Sequence, residues 1–220
     1  MTNEVYNIDC MEYMRQLPDN AFQLTIADPP YGLDRKSTTT WGKGSHLINR
    51  AFCKTNITEL WDKAPDKAFF DELLRISENV IIWGGNYFDL PPTRCIVCWD
   101  KCQPWENFSQ IEMAWTTFDK PAKLYKFDNR TTDKIHPTQK PVDLYAWCLR
   151  TFANEGDRIF DPMMGSQSSR IAAYKMGFDY YGCELNAEYY KAGCERFERK
   201  CLGIEQKNNV QIIQKELFEI

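Results

Sequence analysis

The chain has 220 residues with 27 basic and 31 acidic side chains, which give a formal net charge of −4. A chain of this length can bury one good core, with little left for a separate recognition module. The acidic balance excludes a generic nucleic-acid binder with positive charge spread over its whole surface. No apolar run approaches membrane-spanning length and the start lacks a signal-peptide pattern, so we predict a cytoplasmic protein with no membrane partner.

Apolar periodicity predicts strands that alternate with helices along the chain. We predict strands near 5–8, 22–27, 78–84, 94–99, 110–117, 157–161 and 179–184, and helices near 10–17, 66–77, 142–153, 167–177 and 187–201. An additional edge strand is predicted over 210–213. This alternation is typical of an α/β sandwich with a largely parallel sheet.

The first motif is Asp-Pro-Pro-Tyr at residues 28–31, directly after the apolar run 22–27 that predicts a buried strand. Each proline fixes its own φ and lacks an N–H, so the backbone is stiff and its carbonyls are free to accept. Asp28 adds a carboxylate acceptor, and Tyr31 offers a ring face on which a base could stack. Alone, the motif fits a pocket for a planar amine and a strand that ends in a Pro-rich turn about equally well.

The nine cysteines lie mostly within apolar segments, which favours reduced, buried thiols that act as small hydrophobic side chains. They are Cys10, Cys53, Cys95, Cys98, Cys102, Cys148, Cys183, Cys194 and Cys201. Cys95 and Cys98 with Cys102 resemble half of a zinc site, but no second pair follows at zinc-site spacing. We therefore predict no metal.

The second motif is a strand, a Gly-containing turn, a helix and a second strand that ends in an acid, over residues 157–184. The acid is Glu184, nineteen residues after Gly165, and Gly177 is placed to end the helix. A tight turn lets the backbone approach a nucleoside. The acid can then accept hydrogen bonds from the ribose hydroxyls. An ordinary βαβ unit with a surface Glu is the alternative, and the presence of the first motif disfavours it.

Together these motifs resemble the circularly permuted S-adenosylmethionine-dependent DNA amino-methyltransferases, the β class, in which the catalytic motif precedes the cofactor motif. Residues 7–12 resemble the family's opening strand end, and residues 135–141, Ile-His-Pro-Thr-Gln-Lys-Pro, resemble its most specific signature. Trp99, Lys101 and the strand 110–115 resemble its central segment. The resemblance spans about residues 5–200.

The resemblance implies one methyltransferase domain over 1–220, with a Rossmann-like sandwich, a mostly parallel central sheet and helices on both faces. It implies S-adenosylmethionine as the cofactor and DNA methylation as the activity. The catalytic candidates are Asp28, Pro29, Pro30 and Tyr31. The cofactor-binding candidates are Asp9, Cys10, His136, Thr138, Gln139, Lys140, Asp161, Pro162, Met163, Gly165, Ser166, Ser168, Glu184, Leu185 and Asn186.

By the same resemblance, Asp9 would contact the cofactor's adenine and Glu184 its ribose, with His136, Gln139 and Lys140 near its methionine end. Asp28 and the Pro29 carbonyl would accept hydrogen bonds from the exocyclic amine of a flipped-out base, which would localise its lone pair for direct attack on the methyl group.

The predicted target is N6 of adenine in double-stranded DNA, because an Asp at the first motif position resembles the family's adenine branch. The N4-cytosine branch starts more often with Ser and is the nearest alternative. RNA or protein amide methylation is more distant, and a non-catalytic nucleoside- or DNA-binding subunit is an alternative from another class. A homodimer and a cognate restriction endonuclease are partners that only the resemblance raises.

The chain departs from the family pattern at two positions of the cofactor turn. Met163 stands where the family commonly has Phe, and Gln167 where it commonly has Gly. If position 167 needs a positive φ, the Gln side chain could crowd the methionine moiety. Alternatively, its amide could supply a hydrogen bond that Gly lacks.

An acidic DNA enzyme must concentrate its positive charge locally, and two segments do so. The first, the predicted DNA-contacting loop 35–60, has five basic side chains and no acid over 35–54. The second lies in the predicted target-recognition region, about 100–135, where five basic side chains interleave with Tyr125 and Phe127. For each segment a solvated connection is the alternative, and for the second the sequence does not choose.

Overall fold

The structure is a computed structural model that describes residues 1–33, 63–104, 109–128, 134–136, 138–207 and 210–213. The predicted DNA-contacting loop 35–60 lies outside the described residues, and so do parts of the predicted target-recognition region. The strands are β1 (Asn3–Tyr6), β2 (Phe22–Ala27), β3 (Ser77–Trp83), β4 (Ile96–Asp100), β5 (Ile111–Thr116), β6 (Lys123–Lys126), β7 (Arg158–Asp161), β8 (Asp179–Cys183), β9 (Ile204–Lys207) and β10 (Val210–Ile213). The α-helices are α1 (Cys10–Met14), α2 (Lys67–Ile76), α3 (Val142–Phe152), α4 (Ser168–Lys175) and α5 (Ala187–Phe197).

Eight strands form one sheet in the order β1-β8-β7-β2-β3-β5-β4-β6. Neighbours from β1 to β3 are parallel, and β6 is parallel to β4. Only β5, within this eight-stranded sheet, runs the other way, antiparallel to both β3 and β4. The carboxyl ends of the seven other strands therefore meet at one edge, here called the carboxyl edge, and β5 begins at that edge.

Both faces of the sheet are buried, as expected of parallel strands covered by helices. Successive side chains of β3 enter opposite cores: Ile81 and Trp83 lie on one face, Val80 and Ile82 on the other. The first face packs against α3 and α4, and the second against α1 and α2. The predicted sandwich with helices on both faces is confirmed.

Side-chain caps fix where three of the helices begin, because each satisfies backbone amides that lack a partner within the helix. Asp9 accepts from the Met11 amide at the start of α1, and Asp66 accepts from the Phe69 amide at the start of α2. Asn186 caps α5 through two amides. Two of these caps directly follow strands β1 and β8, so they also belong to the carboxyl edge.

The observed elements differ from the predicted ones in several places. Helix α1 ends at Met14 rather than at 17, shortly before Pro18, which disfavours helical geometry in the residue before it. Helix α5 gives way after Phe197 to a π-helical turn, Glu198–Leu202. Strands β6 and β9 were not predicted. The predicted edge strand 210–213 pairs with β9 in a separate two-stranded sheet, so it does not extend the central one.

The eight described cysteines are free thiols; Cys10, Cys95, Cys148 and Cys183 are buried and Cys102 is exposed. None of the helices in the described ranges has both the length and the apolar character needed to cross a membrane.

Candidate active site

The topology places the two sequence motifs side by side. Strands β2 and β7 are parallel neighbours, with Leu24 opposite Ile159 and Thr25 opposite Phe160. The chain continues from β2 toward β3 on one side, and from β7 toward β8 on the other, which makes this pair the switch point of the sheet. Ligands of open α/β sheets bind at such a crevice. Asp28 and Asp161 therefore stand at neighbouring strand ends, as predicted.

Asp28 is held by two donors. The ammonium group of Lys140 lies 2.5 Å from Asp28 Oδ1, and the Tyr31 hydroxyl donates to the same oxygen at 3.0 Å. Lys140 Nζ is also 3.2 Å from the Tyr31 hydroxyl oxygen. Both donors therefore use the same carboxylate oxygen, Oδ1.

The reversed strand β5 adds a second carboxylate, Glu112, which the sequence argument did not place in the site. Its Oε2 lies 3.1 Å from Lys140 Nζ and 3.5 Å from the Tyr31 hydroxyl. Its Oε1 lies 2.5 Å from Lys101 Nζ. Asp28, Lys140, Glu112 and Lys101 thus form a row of alternating charge with no net charge, here called the charge row.

Lys140 contacts the first motif. Its ammonium group binds Asp28 and Glu112, with only 4% of the side chain exposed. The same nitrogen lies 5.6 Å from the ring centre of Tyr31 and 5.5 Å from that of Trp83. Aromatic faces attract a cation, so two rings and two carboxylates surround this one ammonium group.

Burial and mutual attraction set the protonation of the charge row. Burial, with a smaller contribution from Glu112, raises the pKa of Asp28, and Lys140 opposes that shift. Burial also acts to raise the pKa of Glu112, but Lys140 and Lys101 outweigh it and bring that pKa to about 2. Although burial disfavours its charged form, Lys140 has a raised pKa because Asp28 and Glu112 stabilise the ammonium ion.

The acid of the second motif closes the glycine turn. Glu184 Oε2 accepts from the Gly165 amide at 2.8 Å, and Oε1 accepts from the Asn186 amide at 2.9 Å. Gly165 has a φ of +48°, and a Cβ there would lie 3.6 Å from the nearest His136 ring atom. Glu184 therefore shapes the turn with its carboxylate, and carboxylate oxygens keep further lone pairs for ligand hydroxyls.

Asp161 and the serines of the turn are bonded within the protein. Buried Asp161 accepts from the Met163 amide at 3.0 Å and from Ser169 Oγ at 2.5 Å, and burial raises its pKa to about 7. Ser166 and Ser168 share a hydrogen bond of 3.2 Å. The Arg196 guanidinium donates to the Ser166 carbonyl at 2.8 Å and to Ser168 Oγ at 3.0 Å. These side chains therefore stabilise the turn through hydrogen bonds within the protein, and Pro162 lies next to Asp161 in the chain.

The ends of β1 and β8 form the far side of the cofactor candidate set. The Asn7 amide donates to the Glu184 carbonyl at 2.7 Å and to the Leu185 carbonyl at 3.1 Å. Leu185 is 70% exposed beside this junction. The side-chain oxygens of Asp9 and Asn186 accept hydrogen bonds as helix caps. Burial raises the pKa of the Cys10 thiol to about 12.

The segment 134–140 connects the two motifs in space. The His136 ring lies against the Gly165 turn, and its centre is 4.4 Å from the Tyr189 ring centre. Burial and Lys140 lower the pKa of His136 to about 4, so the ring is neutral near pH 7. The Thr138 hydroxyl lies 3.2 Å from His136 Nδ1, and Gln139 Oε1 accepts from the Ile135 amide at 3.0 Å. His136 thus faces the cofactor turn, while Lys140 reaches the catalytic motif.

Gln167 has a left-handed backbone, with a φ of +59°, as the crowding hypothesis required. Its side chain is nevertheless fully buried against α5, where Nε2 donates to the Tyr190 carbonyl at 3.2 Å. Arg170 donates to Gln167 Oε1 at 2.8 Å. A Cβ on Gly193 of α5 would lie 2.7 Å from this side chain, which shows how closely the two pack. The extra bulk is accommodated under a helix, and its hydrogen bonds serve the fold.

A recess of about 330 Å³, including space open to solvent, adjoins Tyr31. It is lined by Tyr31, Gly84, Asn86, Tyr87, Ser109, Ile111, Glu112 and Met113. The Tyr31 and Tyr87 rings stack with centres 5.1 Å apart. Gly84 has a φ of +70°, and a Cβ there would lie 2.2 Å from the Tyr31 ring, so only glycine leaves room for this ring. The recess is therefore lined by the two tyrosine rings and by the Glu112 carboxylate.

A glycine turn closed by an acid at a neighbouring strand end, beside an Asp-Pro-Pro-Tyr motif on this sheet, is typical of the class of S-adenosylmethionine-dependent methyltransferases. A comparison with family models matches residues 55–195 to the N6/N4 methyltransferase family, described as DNA methylase. The chain belongs to this family, and S-adenosylmethionine is its cofactor.

Individual proteins agree with this membership. The type II methyltransferase M1.MboII of Moraxella bovis is 22% identical, over 85% of this chain and 93% of its own length. A crystal structure of the M1.HpyAVI complex with S-adenosylmethionine has a TM-score of 0.54 at 19% identity, covering 88% of this chain and 98% of that one. The cytosine-N4-specific PvuII DNA methyltransferase has a TM-score of 0.61 at 14% identity, covering 96% and 89%.

Proposed function

We propose that this DNA methyltransferase modifies the exocyclic N6 of adenine in duplex DNA, after the base has been flipped out of the helix. The observation that carries the proposal is the Asp28 carboxylate at the β2–β7 switch point, with Oδ1 bound by Lys140 and Tyr31. Oδ2, which neither of these donors uses, would accept from the N–H groups of the substrate amine. The β class, with its permuted motif order, fits the position of Asp28 ahead of Gly165 in the chain.

Asp28 and its neighbours would act on the substrate amine by position rather than by strong acid–base chemistry. An aromatic amine is a poor nucleophile because its lone pair is delocalised into the ring. Hydrogen bonds from its N–H groups to Asp28 Oδ2 and the Pro29 carbonyl favour a pyramidal nitrogen with a localised lone pair. Pro30 keeps this backbone stiff, and Tyr31 supplies a stacking face. When bound, S-adenosylmethionine supplies a methyl group activated by its sulfonium charge.

The residues around the glycine turn fit the cofactor. Glu184 retains acceptor capacity for ribose hydroxyls, and the exposed Leu185 offers an apolar contact for a purine. Asp9 stands at the adjoining strand end, next to β8. The amino-acid end of the cofactor would lie over the turn from Asp161 to Ser168, beside His136. We propose that the other cofactor candidates, including Cys10, Thr138 and Gln139, support the residues of this site.

Strand β6 supports a DNA-contacting role for the region 100–135. It forms the last strand of the sheet and carries Lys123 and Lys126, and the Lys126 side chain is 66% exposed. Lys126 pairs with Asp100 at 3.6 Å, at the carboxyl edge. An exposed lysine at this edge can neutralise a phosphate of DNA that approaches the recess. On its basic composition alone, the loop 35–60 is proposed to join this lysine.

N4 of cytosine is the second candidate target, and the similarity to the cytosine-N4-specific PvuII enzyme favours it. Both reactions use an exocyclic amine beside a ring nitrogen, so the Asp28 geometry serves either base. We place adenine first because the motif begins with Asp. A cognate restriction endonuclease and a homodimer are proposed partners; the first fits the type II relatives.

The test is transfer of labelled methyl groups from S-adenosylmethionine to unmethylated duplex DNA, followed by nucleoside analysis. The expected product is N6-methyladenine, and Asp28→Ala should abolish its formation while cofactor binding is kept. N4-methylcytosine would replace the adenine assignment. Full activity of Asp28→Ala would remove the catalytic assignment, and cofactor binding without transfer to any nucleic acid would favour the non-catalytic subunit.

A further inference from the structure

Lys140 is the most enclosed member of the charge row, and the proposed mechanism assigns it no role. Its side chain is 4% exposed, and it lies on the segment between His136 and α3 rather than on either strand that it contacts. Burying an ammonium ion costs free energy unless opposite charges and hydrogen bonds offset it. A buried lysine that survives at such a position therefore calls for an explanation beyond packing.

The contacts of Lys140 all converge on the two side chains that would hold the substrate. Its ammonium group binds Asp28 Oδ1 at 2.5 Å and the Tyr31 hydroxyl at 3.2 Å, and it lies over the Tyr31 ring. Without it, Asp28 would retain a single donor, and its carboxylate would be free to rotate. Lys140 and Tyr31 thus hold the Asp28 carboxylate by the same oxygen, Oδ1.

Glu112 holds Lys140 in this position from the other side. It accepts from Lys140 and from Lys101, so the row has two positive and two negative groups. Neutrality matters here because the methyl donor carries a positive sulfonium, which an unbalanced ammonium group would repel. Glu112 and Lys101 therefore permit a buried cation beside a cationic cofactor.

We infer that Lys140 is a positioning residue of methyl transfer, whose ammonium group fixes the Asp28 carboxylate and the Tyr31 hydroxyl so that Oδ2 faces the substrate amine. The inference rests on the proposed role of Asp28. It replaces the cofactor-binding role that the resemblance implied for Lys140, and it makes Glu112 and Lys101 the support of that lysine.

The charged and titratable groups around the Lys140 ammonium come from every segment packed against it. They are Asp28 and Tyr31 after β2, Glu112 on β5, Lys101 after β4, Lys134 and His136 ahead of it, and Tyr145 on α3. Near pH 7 His136 and both tyrosines are neutral, so the carboxylates and lysines set the local charge.

The first test compares Lys140→Met and Lys140→Arg in single-turnover methyl transfer to duplex DNA. Removing the charge should lower the rate constant about 100-fold, since this is the usual effect of one preorganised electrostatic contact. The affinity for S-adenosylmethionine should change less than about threefold. Lys140→Arg should recover about tenfold of the loss, because it restores a donor of the same charge. Lys67→Met, an exposed lysine on α2, is the matched control.

The pH profile separates positioning from simple packing. Asp28 must be ionised to accept from the amine, so loss of the Lys140 charge should move the acidic limb of the rate to higher pH. Glu112→Gln removes a negative neighbour of Asp28, so it should move that limb to lower pH. Opposite shifts in the two variants are expected only if Asp28 responds to both charges.

Each other result overturns the inference. A Lys140→Met rate within about threefold of the parent would show that the lysine is dispensable. A loss confined to S-adenosylmethionine affinity would return Lys140 to the cofactor site. If Lys140→Met does not fold, Glu112→Gln decides, and an unmoved acidic limb there would refute the inference. Asp28→Ala is run alongside: activity in that variant would instead refute the proposed role of Asp28.

Discussion

The two halves of the site are held together in different ways. Around Gly165, side chains bind backbone groups close by: Glu184 holds the amide of Gly165, and Asp161 holds that of Met163. Around Asp28, charged side chains bind one another across 112 residues of sequence. Backbone-bound turns tolerate loss of one side chain better than a row of coupled charges does. We therefore expect single substitutions around Gly165 to change the affinity for S-adenosylmethionine, and those around Asp28 to change the rate of methyl transfer.

The largest expected effect comes from Asp28→Asn. The amide keeps the shape of the carboxylate but loses its charge, so Lys140 loses its nearest partner and the substrate amine its acceptor. We expect the methyl-transfer rate constant to fall about 1,000-fold, with the dissociation constant of S-adenosylmethionine changed less than about threefold. Single-turnover kinetics and isothermal titration calorimetry measure the two quantities. A rise in the dissociation constant with turnover kept would contradict the division between the halves.

Glu184→Gln tests the opposite half. The amide can still accept from Gly165, but it loses the negative charge offered to the ribose hydroxyls. We expect S-adenosylmethionine to bind about tenfold more weakly, while the rate constant at saturation stays within about threefold. The same titration, with Glu188→Gln on the exposed start of α5 as control, checks this. Equal binding by Glu184→Gln and the parent would take the ribose role from Glu184.

Asp161→Asn tests the turn through the pH dependence of stability. Burial raises the pKa of Asp161 in the folded state to about 7, above the usual value of about 3.9 for an unfolded chain. The folded state therefore binds the proton more tightly, and the stability from Asp161 is lost as pH rises from about 4 toward 7, by up to about 1.4 kcal/mol per pH unit.

The asparagine variant should lack this component. The difference in unfolding free energy between the parent and Asp161→Asn, measured by urea denaturation across that range, should favour the parent less as pH increases. A pH-independent difference would show that Asp161 is ionised throughout, with Ser169 and the Met163 amide offsetting its burial.

The smallest effect is expected for Gln167→Gly. Glycine removes the strain of a left-handed residue, worth about 1 kcal/mol, but it also removes the hydrogen bonds to Tyr190 and Arg170. We expect little change in unfolding free energy and a cofactor affinity within about threefold of the parent. Markedly tighter binding of S-adenosylmethionine would revive the crowding hypothesis despite the buried side chain.

The sequence was sufficient for most of the fold and for the local parts of the site. Long apolar runs predicted β2 and β3 because parallel strands buried on both faces leave a strong signal. The glycine turn and Glu184 were found because they lie within one βαβ unit, where spacing carries the geometry. Strand β6, Lys123–Lys126, was missed because this short edge strand has a lysine at each end and resembles a solvated connection.

Two features of the catalytic half could not be derived from spacing. Glu112 reaches Lys140 and Tyr31 only because β5 is inserted in the reverse direction between β3 and β4, and no local sequence pattern predicts the strand order. The contacts of the Lys140 side chain depend on the path that its segment takes across the carboxyl edge. Both features depend on topology, that is, on contacts between residues far apart in the sequence, which local sequence patterns do not predict.

The reversed strand has one more consequence, for where the chain could be lengthened. Because β4 ends and β5 begins at the carboxyl edge, the connection between them leaves and re-enters the sheet beside the recess. Its base is closed by a backbone hydrogen bond of 2.9 Å from the Lys101 amide to the Gln110 carbonyl. A longer segment grafted beyond that bond would begin and end beside the recess while every strand kept its register. The connection between β4 and β5 is thus a point at which the chain could be lengthened without moving Asp28 or Glu112.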